Sequence, residues 1–210
     1  MSGITTATLK TGAARLAAAA RAAEGELNAL DGQLGDGDLG ITVATGWQEV
    51  ANGAETMPDD VGMAFLAAAK AFQRVSSSSY GTLTATALMA AAKRTKGRTE
   101  VPWSEVPGLV AAARDAMMER GKGSLGDKSV LDIIDAVARA IDGMDGPQAM
   151  LAVAETAADK TLTEFRGRPN RLGRARMFAE KSVGMDDPGM RAFQRLVVGL
   201  ASGHVPPTQT

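Results

Sequence analysis

The feature that most restricts the fold is a helical spacing of apolar residues carried through almost the whole chain. Leu9, Ala13, Leu16, Ala20, Ala23, Leu27 and Leu30 recur in steps of three and four, which places them on one helix face. Leu131, Ile134, Ala138 and Ile141 form a second such stripe. Segments 41–55, 60–74, 79–95, 103–120, 146–165 and 188–202 are Ala-, Leu- and Met-rich and read as helices too. No stretch alternates Val, Ile or Thr with polar residues as a strand does. Gly- and Pro-rich breaks such as MPDD, KGRTEVP, GMDGP, RGRPN and DDPG separate the segments. The expectation is an all-α antiparallel barrel or bundle of about eight amphipathic helices. It forms a single domain over 1–203, followed by a flexible tail over 204–210.

Several function classes fall away on composition. A net charge of −1 and 4% aromatic residues leave neither a basic footprint nor stacking platforms for nucleic acid. The absence of cysteine removes disulfides, thiolate metal sites and cysteine nucleophiles. The Ala-rich N-terminus is interrupted by Lys10, Arg15, Arg21, Glu24 and Glu26, so it reads neither as a signal peptide nor as a membrane span. The reading is a soluble cytoplasmic protein.

Chemistry concentrates in four loops. LDGQLGDGDLG at 30–40 sets Asp31, Asp36 and Asp38 among glycines, so a flexible anionic loop is expected there. Hard carboxylate oxygens at this spacing suit Mg²⁺ or Ca²⁺. An EF-hand fails, because the twelfth position counted from Asp31 is Thr42 and that counted from Asp36 is Trp47, neither being Glu. VSSSSYGT at 75–82 opens a helix with more hydroxyls than one cap needs. RGKGSLGDKSVLD at 120–132 approaches a Walker A loop but has Asp127 after Gly126 and no strand before it. RGRPNRLGRAR at 166–176 offers guanidinium forks for phosphate. An acidic loop, a serine helix start, a glycine loop and an arginine loop together describe a Mg²⁺–nucleotide site.

With SVGMDDPG at 182–189, these stretches occur in the order of a known family, and the chain resembles the L subunit of dihydroxyacetone kinase, the Dak2 or DhaL-type nucleotide-binding domain. The resemblance implies a barrel with its nucleotide site in loops at one end, Mg²⁺ (two ions) and ADP or ATP. It assigns the metal to Asp31, Asp36 and Asp38. Nucleotide contacts fall to Leu39, Gly40, Ile41 and Thr42, to Ser76 and Ser77, to Gly121 and Val130 at the adenine, and to Arg168, Asp187, Pro188 and Gly189. It implies phosphoryl transfer to a short-chain ketose, dihydroxyacetone or a tetrulose, bound on a separate K subunit. ATP or a phosphotransferase-system (PTS) phosphoprotein acting through bound ADP would be the donor.

Departures from the family pattern are Leu39 where many members carry His, Ser77 and Ser78 where many carry Gly-Pro, and a longer arginine region that includes ARMFAE. The only histidine, His204, lies in the tail, so no acceptor-binding histidine is expected on this chain. Two rival readings remain at this stage. One is a nucleotide-loaded regulator without turnover. The other is a fatty-acid-kinase-like nucleotide domain, expected to continue into a further domain beyond residue 210.

Overall fold

The computed structural model describes residues 3–76 and 78–202; Ser77, His204 and the rest of the 204–210 tail lie outside the described residues. Eight α-helices dominate the described chain: α1 (Thr6–Leu34), α2 (Leu39–Asn52), α3 (Val61–Val75), α4 (Ser79–Thr95), α5 (Val106–Gly121), α6 (Val130–Ala140), α7 (Pro147–Phe165) and α8 (Pro188–Ala201). Each packs against its neighbour in the chain, and α8 returns to pack on α1, so the ring closes. Short connections between most neighbours make successive helices antiparallel.

Local chemistry sets the helix ends. Thr5 and Thr8 form a reciprocal capping box that starts α1. Asp60 caps α3 through the Met63 amide, and Ser129 with Asp132 forms a second capping box at α6. Pro147 and Pro188 occupy first-turn positions, where the missing N–H costs nothing.

Packing follows the sequence stripes. The Ala13, Ala17, Ala20, Ala23 and Leu27 face of α1 is buried against α2 and α3 residues such as Val43, Trp47 and Phe72. The lack of a side chain at Gly46 makes room for the Phe72 ring, which a Cβ there would meet at 2.3 Å. Leu131, Ile134 and Ile141 sit in a second cluster with Met117, Met150 and Leu162. Inside the ring an apolar cavity of about 630 Å³ remains, lined by residues including Leu16, Leu88, Ile134 and Phe193.

Three features depart from the sequence reading. Helix α1 runs through Asp31 and Gly32 to Leu34, so Asp31 projects from a helical turn rather than from the loop. A single glycine costs only about 1 kcal/mol in a helix, less than a long buried face returns. Residues 103–105 form a 3₁₀ turn, and α5 starts later, at Val106. Gly3–Thr5 pairs antiparallel with Glu100–Pro102. Strands of three residues are too short to show alternation, and their partners lie far apart in sequence. Among the described residues no helix is long and apolar enough to cross a membrane.

Candidate metal and nucleotide site

In a ring of antiparallel helices, every second connection falls at the same end. The α1–α2, α3–α4, α5–α6 and α7–α8 connections are the acidic, serine, glycine and arginine loops. Helices α2, α4, α6 and α8 therefore point their N-termini, with their positive partial charge, at one place. A pocket of about 810 Å³ opens there.

At the base of the acidic loop, Asp31 Oδ2 accepts from the amides of Gly37 (2.9 Å), Asp38 (3.1 Å) and Leu39 (3.4 Å), and so shapes the turn into α2. Asp38 occupies the N-cap position of α2, yet its side chain makes no capping bond. The first-turn amide that such an aspartate normally caps, here that of Ile41, is held instead by Asn28 Oδ1 at 3.2 Å, which leaves the Asp38 carboxylate available. Each of Asp31, Asp36 and Asp38 offers an oxygen within 4.8 Å of the others. Asp36 pairs with Arg174 from the arginine loop. Three hard oxygens at this separation, two of them on exposed residues, fit a divalent cation of the Mg²⁺ type, which keeps waters and phosphate oxygens among its ligands.

The serine loop is packed tightly. Ser78 Oγ accepts from the Gly81 amide at 3.0 Å and caps α4, while buried Ser76 lies 3.2 Å from it. A Cβ at Gly81 would stand 1.9 Å from Ser76 Oγ, so only glycine fits. Ser78 and Ser79, rather than Ser76, face the pocket.

The glycine and arginine loops are joined by buried polar groups. Asp132 accepts from the Gly126 and Ser129 amides; burial pushes its carboxyl up, against those bonds. Asn170 Nδ2 donates to the Lys128 carbonyl (2.8 Å) and to Asp187 Oδ2 (2.7 Å). Asp187 Oδ1 caps α8 at the Met190 amide (2.8 Å). Burial raises its carboxyl to about 6, although Met190, Asn170 and Lys128 all favour the charged form. Desolvation likewise holds the Lys128 ammonium below its usual value, with Asp187 and Asp186 opposing the shift. Arg166 and Arg191 both bind Asp186. Its carboxyl is held low by these guanidiniums, which outweigh the raising effect of burial.

The pocket brings together Asp31, Asp36, Asp38, Leu39, Thr42, Gly121, Val130, Asp187, Pro188 and Gly189. Other expected residues lie off its wall. Gly40 sits at the α1–α2 contact, where a Cβ would meet the Glu24 carbonyl at 2.1 Å. Ile41 is exposed on the outer side, with its amide on Asn28 Oδ1. Arg168 stacks over Phe165 at 4.2 Å, and Ser77 is outside the described residues. The wall also includes Tyr80, Arg120, Leu172 and Arg174, which sequence reasoning did not single out. Each lies in or beside a quoted motif, but only the loop conformations decide which side chains turn inward. Burial raises the Tyr80 hydroxyl well above its ordinary value, with Asp187 adding to the effect, so it stays protonated.

Residues 33–202 match the model of the DAK2 domain. The chain belongs to the DAK2 domain family. Among relatives, it is 27% identical over 184 residues to the ADP-binding subunit DhaL of the PEP-dependent dihydroxyacetone kinase of Escherichia coli, covering 83% of this chain and 86% of that one. It is 32% identical over 186 residues to the L-erythrulose 1-kinase of Mycolicibacterium smegmatis, covering 84% of this chain but only 32% of that enzyme. The fold matches the crystal structure of the dihydroxyacetone kinase of C. freundii with a TM-score of 0.73 at 23% identity, over 94% of this chain and 34% of that one. The same kinase in complex with AMP-PNP and Mg²⁺ gives a TM-score of 0.70 at 22% identity, over 97% of this chain and 35% of that one. The fold is therefore the all-α barrel of a DhaL-type DAK2 domain, and this chain spans about a third of the length of the longer kinases.

Proposed function

We propose that this chain is the Mg²⁺–nucleotide-binding subunit of a kinase that phosphorylates a short-chain ketose held on a separate K subunit. The observation that carries the reading is the carboxylate trio, with oxygens within 4.8 Å of one another, on a pocket rimmed by four helix N-termini. The E. coli relative, of which the chain covers 86%, is named as an ADP-binding subunit. Likeness to an L-erythrulose 1-kinase favours a tetrulose beside dihydroxyacetone as substrate.

Asp31, Asp36 and Asp38 would hold the metal. A divalent cation held by these carboxylates would supply the positive charge that phosphoryl transfer from a nucleotide needs. The first-turn amides of α2 and α4, the Ser78 and Ser79 hydroxyls and Arg174 would orient phosphate oxygens. Val130, Gly121 and Leu172 offer an apolar bed for the base. The domain spans 1–203. Among the described residues there is no histidine or cysteine to hold a ketose covalently, so the acceptor comes with the K subunit. ATP exchange, or rephosphorylation of retained ADP by a PTS phosphoprotein, supplies the phosphoryl group.

Calorimetric titration tests the metal assignment: Asp36→Ala and Asp38→Ala should abolish Mg²⁺-dependent ADP binding with helical content intact. Unchanged affinity in both variants would sink it. In a product assay, the isolated chain with Mg²⁺, ATP and dihydroxyacetone or erythrulose should make no sugar phosphate. Adding the K subunit, with the PTS donor where needed, should restore the reaction; robust turnover by the chain alone refutes the subunit reading.

A further inference from the structure

Lys128 has no accessible surface. A buried ammonium is costly unless each of its three protons is satisfied. Here the three partners are backbone carbonyls: Arg166 at 3.2 Å, Arg168 at 2.7 Å and Ser182 at 2.7 Å. Those acceptors lie on the two limbs of one loop. Between the limbs the chain travels out and back, placing Leu172, Gly173 and Arg174 on the nucleotide pocket. Arg174 reaches Asp36 at its far end.

The base of the loop is closed further by the Gly184 amide on the Arg166 carbonyl (2.8 Å) and the Asn170 amide on Ser182 Oγ (2.8 Å). Lys128 is held at its other end as well, since Asn170 Nδ2 takes its carbonyl. Its backbone is left-handed at φ 59°, a conformation that a non-glycine residue adopts only when its surroundings impose it. An apolar side chain could fill the space but could not bind carbonyls from both limbs at once.

We propose that Lys128 is a positioning residue, a clamp whose ammonium gathers both limbs of the 166–182 loop and so holds Arg174 and Leu172 over the pocket. It acts through the loop and does not touch the nucleotide. The inference rests on reading the pocket as a Mg²⁺–nucleotide site.

The test reads loop opening and nucleotide affinity separately. Trypsin can cut after Arg171, Arg174 and Arg176 once the loop lifts, so nicking there reports the clamp without any ligand. Lys128→Met should be nicked faster than wild type at a temperature well below both melting transitions. Its Mg–ADP affinity by calorimetry should fall by about tenfold, as for a loop closed only about a tenth of the time.

The chain has no cysteine, so Lys128→Cys carries a unique thiol that can be alkylated in the unfolded protein before refolding. 2-Bromoethylamine restores an ammonium at nearly the lysine reach, while 1-bromopropane leaves a neutral chain of the same shape. The aminoethylated protein should regain slow nicking and tight Mg–ADP binding; the propylated one should not. Equal nicking in wild type and both neutral forms overturns the clamp, and faster nicking with unchanged Mg–ADP affinity overturns its role at the site. A propylated protein that fails to refold where the aminoethylated one succeeds makes Lys128 a folding residue and overturns the positioning role. Wild type without Mg–ADP affinity overturns the nucleotide reading and the site role with it, while the nicking difference still decides the clamp.

Discussion

At the scale of single residues, the carboxylates of the pocket divide their labour. Asp31 spends one oxygen on three loop amides, while Asn28 takes the Ile41 amide and so relieves Asp38 of capping α2. Asp187 behaves differently because it is buried. Its carboxyl titrates at about 6 in the fold against 3.8 when free, so the native state favours the proton. That contribution is complete below the unfolded value and is lost as pH rises through 6, amounting to up to about 3 kcal/mol for a shift of about two units. Asp187→Asn keeps an acceptor for the Met190 amide but cannot titrate. Denaturant unfolding from about pH 4 to pH 7 should show the variant gaining on wild type as pH rises, any fixed penalty cancelling in the slope. A gap that stays constant across that range would contradict the assignment.

At the scale of elements, the contact of α1 with α2 sets how the acidic loop is held. Gly40 lies so close to α1 that a methyl group would stand 2.1 Å from the Glu24 carbonyl and 2.7 Å from Asn28 Oδ1. Gly40→Ala should therefore push the helices apart and cost about 1–3 kcal/mol, the range for overpacking. Gly25, one turn back on α1, has nothing within 4 Å of a built Cβ. There the same substitution should stabilise by up to about 1 kcal/mol through helix propensity alone. Thermal or urea unfolding of the two variants checks the contrast, and equal effects at both sites would refute the close-approach argument. Because α2 begins at Leu39, displacing it also tilts the metal loop, so Gly40→Ala should weaken Mg–ADP binding where Gly25→Ala does not.

At the scale of the whole molecule, ring closure by α8 on α1 makes the barrel, and alternation of its connections gathers the chemistry at one end. A ligand that joins loops from all four connections stabilises the folded chain as a unit. Mg–ADP at a hundredfold excess over its dissociation constant should add about 2.7 kcal/mol. For a domain of this size that is a rise of about 5–10 °C in melting temperature. Scanning calorimetry with ADP, with and without EDTA, measures it; a rise that survives chelation would mean that the aspartates hold no metal.

The helical stripes and the four loop motifs were legible along the chain because they depend on spacings of a few residues. Asp31, Asp36 and Asp38 could be named as one group for the same reason: they fall within eight residues of each other. Distances between loops lie beyond that reach. Arg174 meeting Asp36, Lys128 gathering carbonyls from residues 166 to 182, and Tyr80 standing on the pocket wall depend on where helices α4, α6 and α8 put their N-termini. The strand pair at Gly3–Thr5 and Glu100–Pro102 and the extension of α1 past Gly32 are likewise products of long-range packing, which outweighs local propensities of about 1 kcal/mol. Periodicity determined which residues face inward; only closure of the ring decided which loops meet, because that depends on contacts between residues far apart in the chain.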